Sequence, residues 1–185
     1  MGLDGRRFHD VLYFQNIMKD IAKDKFIRTW GEMASCWGIN KTMARVHAYL
    51  MTADAALSTD EIMKELAISR GNANMNLRAL VDWGLIRRVS VGSERREYFQ
   101  SEKDVWNMCC RIARERKKRE IEPVIGALEE CLREAGDGKE SAAFRKKLAE
   151  LLELVRTLDF VLGKLANQEK NAVMPKVLTL LKAMV

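Results

Sequence analysis

Residues 68–99, ISRGNANMNLRALVDWGLIRRVSVGSERREYF, hold the side chains of this chain that are best suited to polar recognition. Three asparagines, Asn72, Asn74 and Asn76, lie in a stretch that otherwise favours a helix. Asparagine is a poor helix former because its amide competes for nearby backbone groups. An amide can pair with adenine through two hydrogen bonds, and a guanidinium can do the same with guanine. These residue types therefore indicate contact with the edges of DNA bases.

Catalytic chemistry has little support in the sequence. His9 and His47 are the only histidines, and neither stands in a spacing typical of a metal site or a catalytic triad. No phosphate-binding glycine loop occurs, and the cysteines form no CxxC pair. We therefore expect no enzyme, no cofactor and no metal site. Cys109 and Cys110 precede a cationic run, a setting that suits redox sensing, but buried structural thiols are the preferred interpretation.

The helix that must carry the asparagines is predicted to begin after Ser69, a good N-cap residue. At 100° per residue its core face is formed by Ala73, Leu77, Leu80 and Val81. The opposite face holds Gly71, Asn72, Met75, Arg78 and Ala79, with Asn76 on the flank, Asn74 at the boundary and Arg70 in the first turn. A solvated face would usually be rich in Glu and Lys, whereas residues 69–79 contain no acid. The pattern favours DNA contact over simple solvation.

The neighbouring segments predict the elements that position this helix. Helices are expected over 8–37 and 41–51, and a capping box of Ser58 and Glu61 starts a third short helix. Gly84 ends the asparagine-bearing helix, and strands at 85–91 and 95–100 form a hairpin. A helix, a turn, a second helix and a hairpin occur in this order in a winged helix-turn-helix. The predicted fold is mainly α with a small β-hairpin.

The hairpin adds positive charge beside the helix. Arginines 87, 88, 95 and 96 flank its tip, where they suit phosphate contact, although Glu94 and Glu97 partly neutralise them. A charged, solvent-facing hairpin is the alternative. The residues predicted to contact DNA are Ser69, Arg70, Asn72, Asn74, Met75, Asn76, Arg78, Arg88, Ser93, Arg95 and Arg96.

Residues 57–108 resemble the GbsR-type branch of the MarR-like winged helix-turn-helix regulators. The motifs that carry the resemblance are ISRGNANMNLR, WGLIRR, RREYF and EKDVW. The resemblance implies a homodimer that binds double-stranded DNA at a palindromic operator. Regulators of this family are commonly repressors, and some of them respond to small molecules. It implies a dimer interface built from N-terminal and C-terminal helices. It brings no effector-binding motif that matches residue by residue.

The last long helix, predicted over 139–167, carries a separate signal for dimerisation. Seven apolar residues alternate at spacings of four and three: Phe144, Leu148, Leu151, Val155, Leu158, Leu162 and Leu165. Packing of this seam within its own chain is the alternative. A helical region over 104–134, with a kink or join at Pro123, precedes it, and its charged part 111–120 is predicted to link the two regions through solvent.

The predicted organisation has three parts. Residues 1–40 contribute a helix to the dimer interface, residues 41–103 form the winged helix-turn-helix, and residues 104–185 form a linker helix and a helical dimerisation domain. An aromatic box for a small-molecule effector could be built from Trp30, Trp37, Tyr49 and Trp106, although aromatic residues at helical spacing are more often core.

The whole-chain properties agree with a DNA-binding protein without identifying one. The 185 residues have a net charge of +6, which favours an anionic partner. We expect a cytoplasmic location with reduced cysteines, because neither a secretory leader nor a segment of about 20 apolar residues is recognisable. A winged helix that binds another protein instead of DNA remains the alternative function. The operator, the regulated genes, the effector and the direction of regulation cannot be read from the sequence.

Overall fold

The computed structural model describes residues 4–36, 38–91, 96–136 and 141–168, with side chains from residue 18 onward. Its chain divides into two compact units, residues 1–102 and residues 103–185. The elements of the first unit are α1 (Asp4–Cys36), α2 (Lys41–Thr52), β1 (Leu57–Ser58), α3 (Thr59–Leu66), α4 (Arg70–Asp82), β2 (Ile86–Val89) and β3 (Tyr98–Ser101). The elements of the second are α5 (Val105–Arg116), a π-helical turn (Lys117–Ile121), α6 (Glu122–Glu134) and α7 (Ala142–Ala166). The mainly helical winged fold expected from the sequence is confirmed.

The core of the first unit forms where α2 packs against α1 and α4. Asn40 is the N-cap of helix α2, and its Oδ1 accepts a hydrogen bond of 3.0 Å from the backbone N–H of Met43. Met43, Val46 and Leu50 are buried as the helical spacing predicts. In α1, Met18 and Ile21 are exposed. Ile27 and Ala34, further along the same helix, are buried.

The turn between α3 and α4 depends on short-range contacts. Ser58 Oγ accepts from the backbone N–H of Glu61 at 3.3 Å, and the Glu61 carboxylate accepts from the backbone N–H of Ser58 at 2.7 Å. This capping box confirms the predicted start of α3. The helix ends at Ala67, which takes a left-handed conformation with φ of 50°. Ser69 then caps α4, so only three residues separate the two helices.

Loss of the α3 cap should destabilise the first unit measurably. We expect Ser58→Ala to lower the free energy of unfolding by about 1 kcal/mol, because the backbone N–H of Glu61 loses its acceptor. Denaturant titration followed by circular dichroism would measure the change. Ser90→Ala is a suitable control, because Ser90 is exposed and lies outside any helix cap. Equal stability of Ser58→Ala and the parent protein would contradict the contribution assigned to the capping box.

The predicted hairpin is part of a three-stranded antiparallel sheet with the order β1-β3-β2. Phe99 of β3 lies between Leu57 of β1 and Arg88 of β2, and its side chain is buried. Strand β1 was not predicted, because two residues are too few to show an alternating pattern. The pairing of β1 with β3 joins the start of α3 to the base of the hairpin. The hairpin formed by β2 and β3 is called the wing below.

The second unit is built from helices that pack against α7. The helical region around Pro123 is interrupted by the π-helical turn, and Pro123 lies near the start of α6, where a missing N–H is tolerated. The expectation that residues 111–120 cross solvent was wrong. Arg114 donates to the backbone carbonyl of Ala166 at 2.8 Å, and Lys117 Nζ lies 2.8 Å from a carboxylate oxygen of Asp159. These contacts hold the charged segment against α7.

The predicted start of the last helix at residue 139 falls outside the described residues, and the described helix begins at Ala142. Among the described residues, no helix combines the length and the apolar character needed to cross a bilayer.

Candidate nucleic-acid interface

Helix α4, called the recognition helix from here on, begins and ends as the sequence predicts. Ser69 Oγ accepts from the backbone N–H of Asn72 at 3.3 Å, which satisfies one of the free donors of the first turn. The helix ends at Asp82 with Trp83 as its C-cap, and Gly84 follows with φ of 69°, a conformation that glycine adopts without strain. Because the Ser69 hydroxyl is used as a cap, its predicted contact with DNA would be secondary to this role.

The two faces of the recognition helix separate clearly. Ala73, Leu77 and Leu80 are buried against the rest of the first unit, as predicted, and Val81 is half-buried. The opposite face presents Gly71, Met75 and Arg78 to solvent. Asn72, which was predicted on this face, and Asn74, which was predicted at its boundary, are half-buried. The exposed face therefore combines a small residue, an apolar side chain and a guanidinium, with two amides along its borders.

Asn76 departs from the sequence interpretation. The prediction placed it on the flank of the DNA-facing side, but its side chain is only 3% exposed. Its Nδ2 donates to Asn72, at 2.8 Å to the backbone oxygen and 2.6 Å to Oδ1. The prediction from helical spacing was wrong at this position, because the first unit covers a wider part of the helix surface than the four predicted core residues occupy. Asn76 consequently contacts Asn72 and has no free surface for a base.

Arg70, in the first turn of the recognition helix, pairs with an acid that sequence reasoning missed. Its guanidinium donates to Asp60 Oδ1 of α3 at 2.5 Å. Both side chains are more than half exposed, so the pair contributes little to stability. Asp60 lies ten residues before Arg70, and no periodic pattern links the two positions. The ion pair holds Arg70 toward α3 in this structure.

The wing carries its arginines in different environments. Arg88 lies 3.6 Å from a carboxylate oxygen of Glu97, and Arg87 donates to Gln100 at 2.8 Å across the strands. Arg96 is exposed. The two tip residues predicted to contact DNA, Ser93 and Arg95, lie outside the described residues. Among the described wing arginines, Arg96 is the one nearest the tip.

The wing base, the start of α3 and the start of the recognition helix meet at one cleft. Its lining is mostly polar and consists of Ser58, Thr59, Asp60, Arg70, Asn74, Arg96 and Glu97. The hydrogen bonds from Ser58 lower the pKa of Glu61, and the positive charge of Arg96 contributes to the same shift. This cleft therefore brings together three residues predicted to contact DNA, Arg70, Asn74 and Arg96. It also includes Asp60, which was not predicted.

The aromatic residues predicted for an effector box are divided between the units. Trp30 and Tyr49 belong to the first, Trp106 belongs to the second, and Trp37 lies outside the described residues. The Tyr49 ring already carries Lys23 Nζ at 4.6 Å from its centre. Trp106 Nε1 donates to the backbone oxygen of Gln168 at 3.1 Å. A box formed by all four residues stays a prediction.

Cys109 and Cys110, weighed in the sequence as redox candidates, differ in the structure. Cys109 is exposed and Cys110 is fully buried. Among the described residues, no group of histidine, cysteine or acidic side chains has the geometry of a metal site.

The predicted dimerisation seam of α7 divides between two faces of the helix. Leu148 is buried inside the second unit together with Leu152, which the seam did not include. Three seam members are half-buried: Val155, Leu162 and Leu165. Three are exposed: Phe144, Leu151 and Leu158. One side of the seam therefore packs within its own chain, and the role of the other side in dimerisation stays a prediction.

An exposed apolar surface, called the α7 stripe below, remains on this helix. Its members are Phe144, Leu151, Leu154, Leu158 and Val161. The last four are spaced by three, four and three residues, so they share one face of the helix. An exposed row of large apolar side chains is unusual on a monomer and is typical of an interface.

The helix-turn-helix with its capped recognition helix, and the wing in its three-stranded sheet, define a winged helix-turn-helix protein. Residues 37–97 match the sequence profile of the MarR family. The HTH-type transcriptional regulator MmpR5 of Mycobacterium tuberculosis (strain ATCC 25618 / H37Rv) is 29% identical over 77 residues, which are 41% of this chain and 47% of that protein. The chain thus spans about half the length of the curated relative that it matches.

A crystal structure described as that of a transcriptional regulator shares the fold. It has a TM-score of 0.62 and 21% sequence identity, and the similarity covers 80% of this chain and 97% of that chain. The family match therefore applies to the winged segment, and the structural similarity extends the fold beyond it. The narrower GbsR-type branch stays a prediction.

Proposed function

We propose that this protein is a sequence-specific DNA-binding transcriptional regulator. The observation that carries the proposal is the recognition helix, whose exposed face holds Gly71, Met75 and Arg78 with Asn72 and Asn74 at its edges. No acid lies between Ser69 and Ala79 to repel phosphates. In a helix-turn-helix the second helix enters the major groove, where an amide and a guanidinium can read bases. The similarity to an HTH-type transcriptional regulator supports the same function.

The wing is proposed to contact the DNA backbone beside this groove. Arg88 and Arg96 would reach phosphates together with Arg95 at the tip. The acids Asp60 and Glu97 reduce the positive charge of the free protein, since they pair with Arg70 and Arg88. Binding to DNA would exchange these exposed ion pairs for phosphate contacts at small cost, because exposed pairs are weak.

The active form is proposed to be a homodimer on a palindromic operator. A single helix-turn-helix covers only half a site, so a second copy related by two-fold symmetry would double the contact. The α7 stripe supports this arrangement, because it offers an apolar surface on the second unit. Met18 and Ile21 of α1 add exposed apolar groups on the first. These residues agree with the predicted role of N-terminal and C-terminal helices in the dimer interface.

Repression and control by a small molecule rest on the resemblance to GbsR-type regulators. A dimer bound over a promoter would exclude RNA polymerase, so we propose repression as the direction of control. In a transcription assay with purified components, the protein should lower transcript from a promoter that contains its operator. An increase in transcript would assign it as an activator.

Salt dependence offers a direct test of DNA binding. Three arginines from each wing, Arg88, Arg95 and Arg96, would neutralise about six phosphates, which gives a slope of log affinity against log salt near −5. Arg96→Ala should make the slope shallower by up to about 2 and leave the preferred sequence unchanged. Selection of bound DNA from a random pool, followed by fluorescence anisotropy at several salt concentrations, would measure both properties.

A matched charge change away from the wing provides the control. Arg133 of α6 is exposed, and Arg133→Ala should leave the slope unaltered. An equal effect of Arg133→Ala and Arg96→Ala would show that only net charge matters. Absence of DNA binding at low salt would overturn the proposal and favour a winged helix that binds another protein.

A further inference from the structure

The buried amide of Asn76 is a polar group inside the packed face of the recognition helix. It shares that face with Ala73, Leu77 and Leu80, all of which are apolar. Burial removes an amide from water, and the loss is unfavourable unless hydrogen bonds inside the protein replace it. An apolar side chain would fill the position without this cost. The presence of asparagine therefore needs a reason other than packing.

The hydrogen bonds of Asn76 determine the orientation of its neighbour. Asn76 Nδ2 donates to the backbone oxygen of Asn72 at 2.8 Å, and a backbone oxygen can only accept. The same Nδ2 lies 2.6 Å from the side chain of Asn72, which must present its own oxygen to this donor. The NH2 group of Asn72 is then directed away from Asn76. Within the part of the chain that the structure describes, this NH2 group makes no hydrogen bond.

We propose that Asn76 is a positioning residue that holds the amide of Asn72 in one orientation for reading adenine; this inference rests on the proposed DNA-binding function. The NH2 group of Asn72 would donate to N7 of a purine in the major groove. Its Oδ1 keeps a second lone pair, which can accept from the N6 amino group of adenine. Guanine presents O6 at that place, so two acceptors would face each other. The held amide therefore favours adenine over guanine.

Removal of the Asn76 amide would release this constraint without removing a contact to DNA. The Asn72 side chain could then rotate and offer its oxygen to N7, where two acceptors repel each other. The orientation of the Asn72 amide that pairs with adenine would become one of several. The preference for adenine over guanine at that base pair should therefore fall. Contacts made by Arg78 and by the wing would be unaffected.

A double-mutant cycle tests this assignment. Asn72→Ala should reduce the preference for adenine over guanine at one operator position by about tenfold, within the range for a good bidentate contact. Asn76→Leu should reduce the same preference by about fivefold, because the contact remains but is less well oriented. In the Asn72→Ala background, Asn76→Leu should have no further effect on the preference.

Asn74 provides the matched control, because it is a half-buried asparagine on the same helix without a described bond to Asn76. In the Asn74→Ala background, Asn76→Leu should keep its full effect of about fivefold. Independent effects of Asn72→Ala and Asn76→Leu, or an unchanged base preference in Asn76→Leu, would overturn the inference. Loss of all DNA binding in the parent protein would instead reject the proposed function.

Folding of each variant is checked by circular dichroism before DNA binding is measured. Asn76→Ala is the second variant, since it removes the amide without adding volume. Loss of folding in both variants would overturn the assignment, because Asn76 would then be needed for the fold itself. A loss of discrimination in either folded variant, confined to the Asn72 position, supports it.

Discussion

Glutamate at both Leu151 and Leu158 is expected to convert the proposed dimer into a folded monomer. The two leucines are 43% and 46% exposed in the chain, so the second unit can form around the substitutions. In a dimer closed over the α7 stripe, the substitutions would bury two unpaired charges per chain, each at a cost of several kcal/mol. Light scattering should report the mass of one chain, and circular dichroism should report unchanged helix content.

Loss of the dimer should also weaken operator binding strongly. A monomer contacts one half-site, and loss of the linked second half-site is expected to lower affinity by 10²-fold or more, on the order of known avidity effects. Ala142→Glu with Ala149→Glu is the matched control, because these exposed α7 positions have the same seven-residue spacing and lie on another face. The control should remain dimeric. A dimer of normal stability with both Leu151→Glu and Leu158→Glu would reject the α7 stripe as the interface.

Acidification to pH 5 is expected to destabilise the first unit through His47. The imidazole is 2% exposed, and its Nε2 has no hydrogen-bond partner among the described residues. Burial lowers the pKa of His47 from 6.5 to about 4, because the charged form would lose its hydration. The unfolded chain therefore binds a proton more readily than the folded chain between these two values. Stability contributed by neutral His47 is full above pH 6.5 and is lost as pH falls toward 4.

The size of the loss follows from the shift in pKa. The free energy of unfolding should fall by about 2 kcal/mol between pH 7.5 and pH 5, and by about 3 kcal/mol at pH 4. Glu61 has a lowered pKa, so its contribution is lost only at more acidic pH than this window. Measurements between pH 7.5 and pH 5 therefore avoid the titration of Glu61.

A background variant makes the measurement specific for the first unit. In Trp106→Phe the remaining tryptophans all lie within residues 1–102, so fluorescence during denaturation reports that unit. His47→Leu should remove most of the pH dependence in this window, because it replaces the buried imidazole with a group that does not titrate. An equally steep pH dependence in His47→Leu would assign the titration to another residue.

The sequence by itself determined those features that depend on neighbours a few residues away. The Ser58 capping box, the Ser69 cap and the stop at Gly84 each involve hydrogen bonds or backbone angles within about one helical turn. Their spacing defines the helix-turn-helix, and two short strand-like segments joined by Gly92, Ser93 and Glu94 predict the wing. The exposed face with Gly71 and Arg78 could be predicted for the same reason, because a helix sorts its residues by angle alone.

Tertiary structure alone decided which parts of each helix are covered. Asn76 lies near the boundary of two faces, and only the packing of the first unit assigns it to the interior beside Asn72. The seam of α7 is continuous in sequence, yet the helices packed against one side bury Leu148 and leave Leu158 exposed. The pairing of Asp60 with Arg70 likewise joins two helices across a turn. Such contacts depend on the positions of whole elements, which local hydrogen-bonding and hydrophobic patterns do not specify.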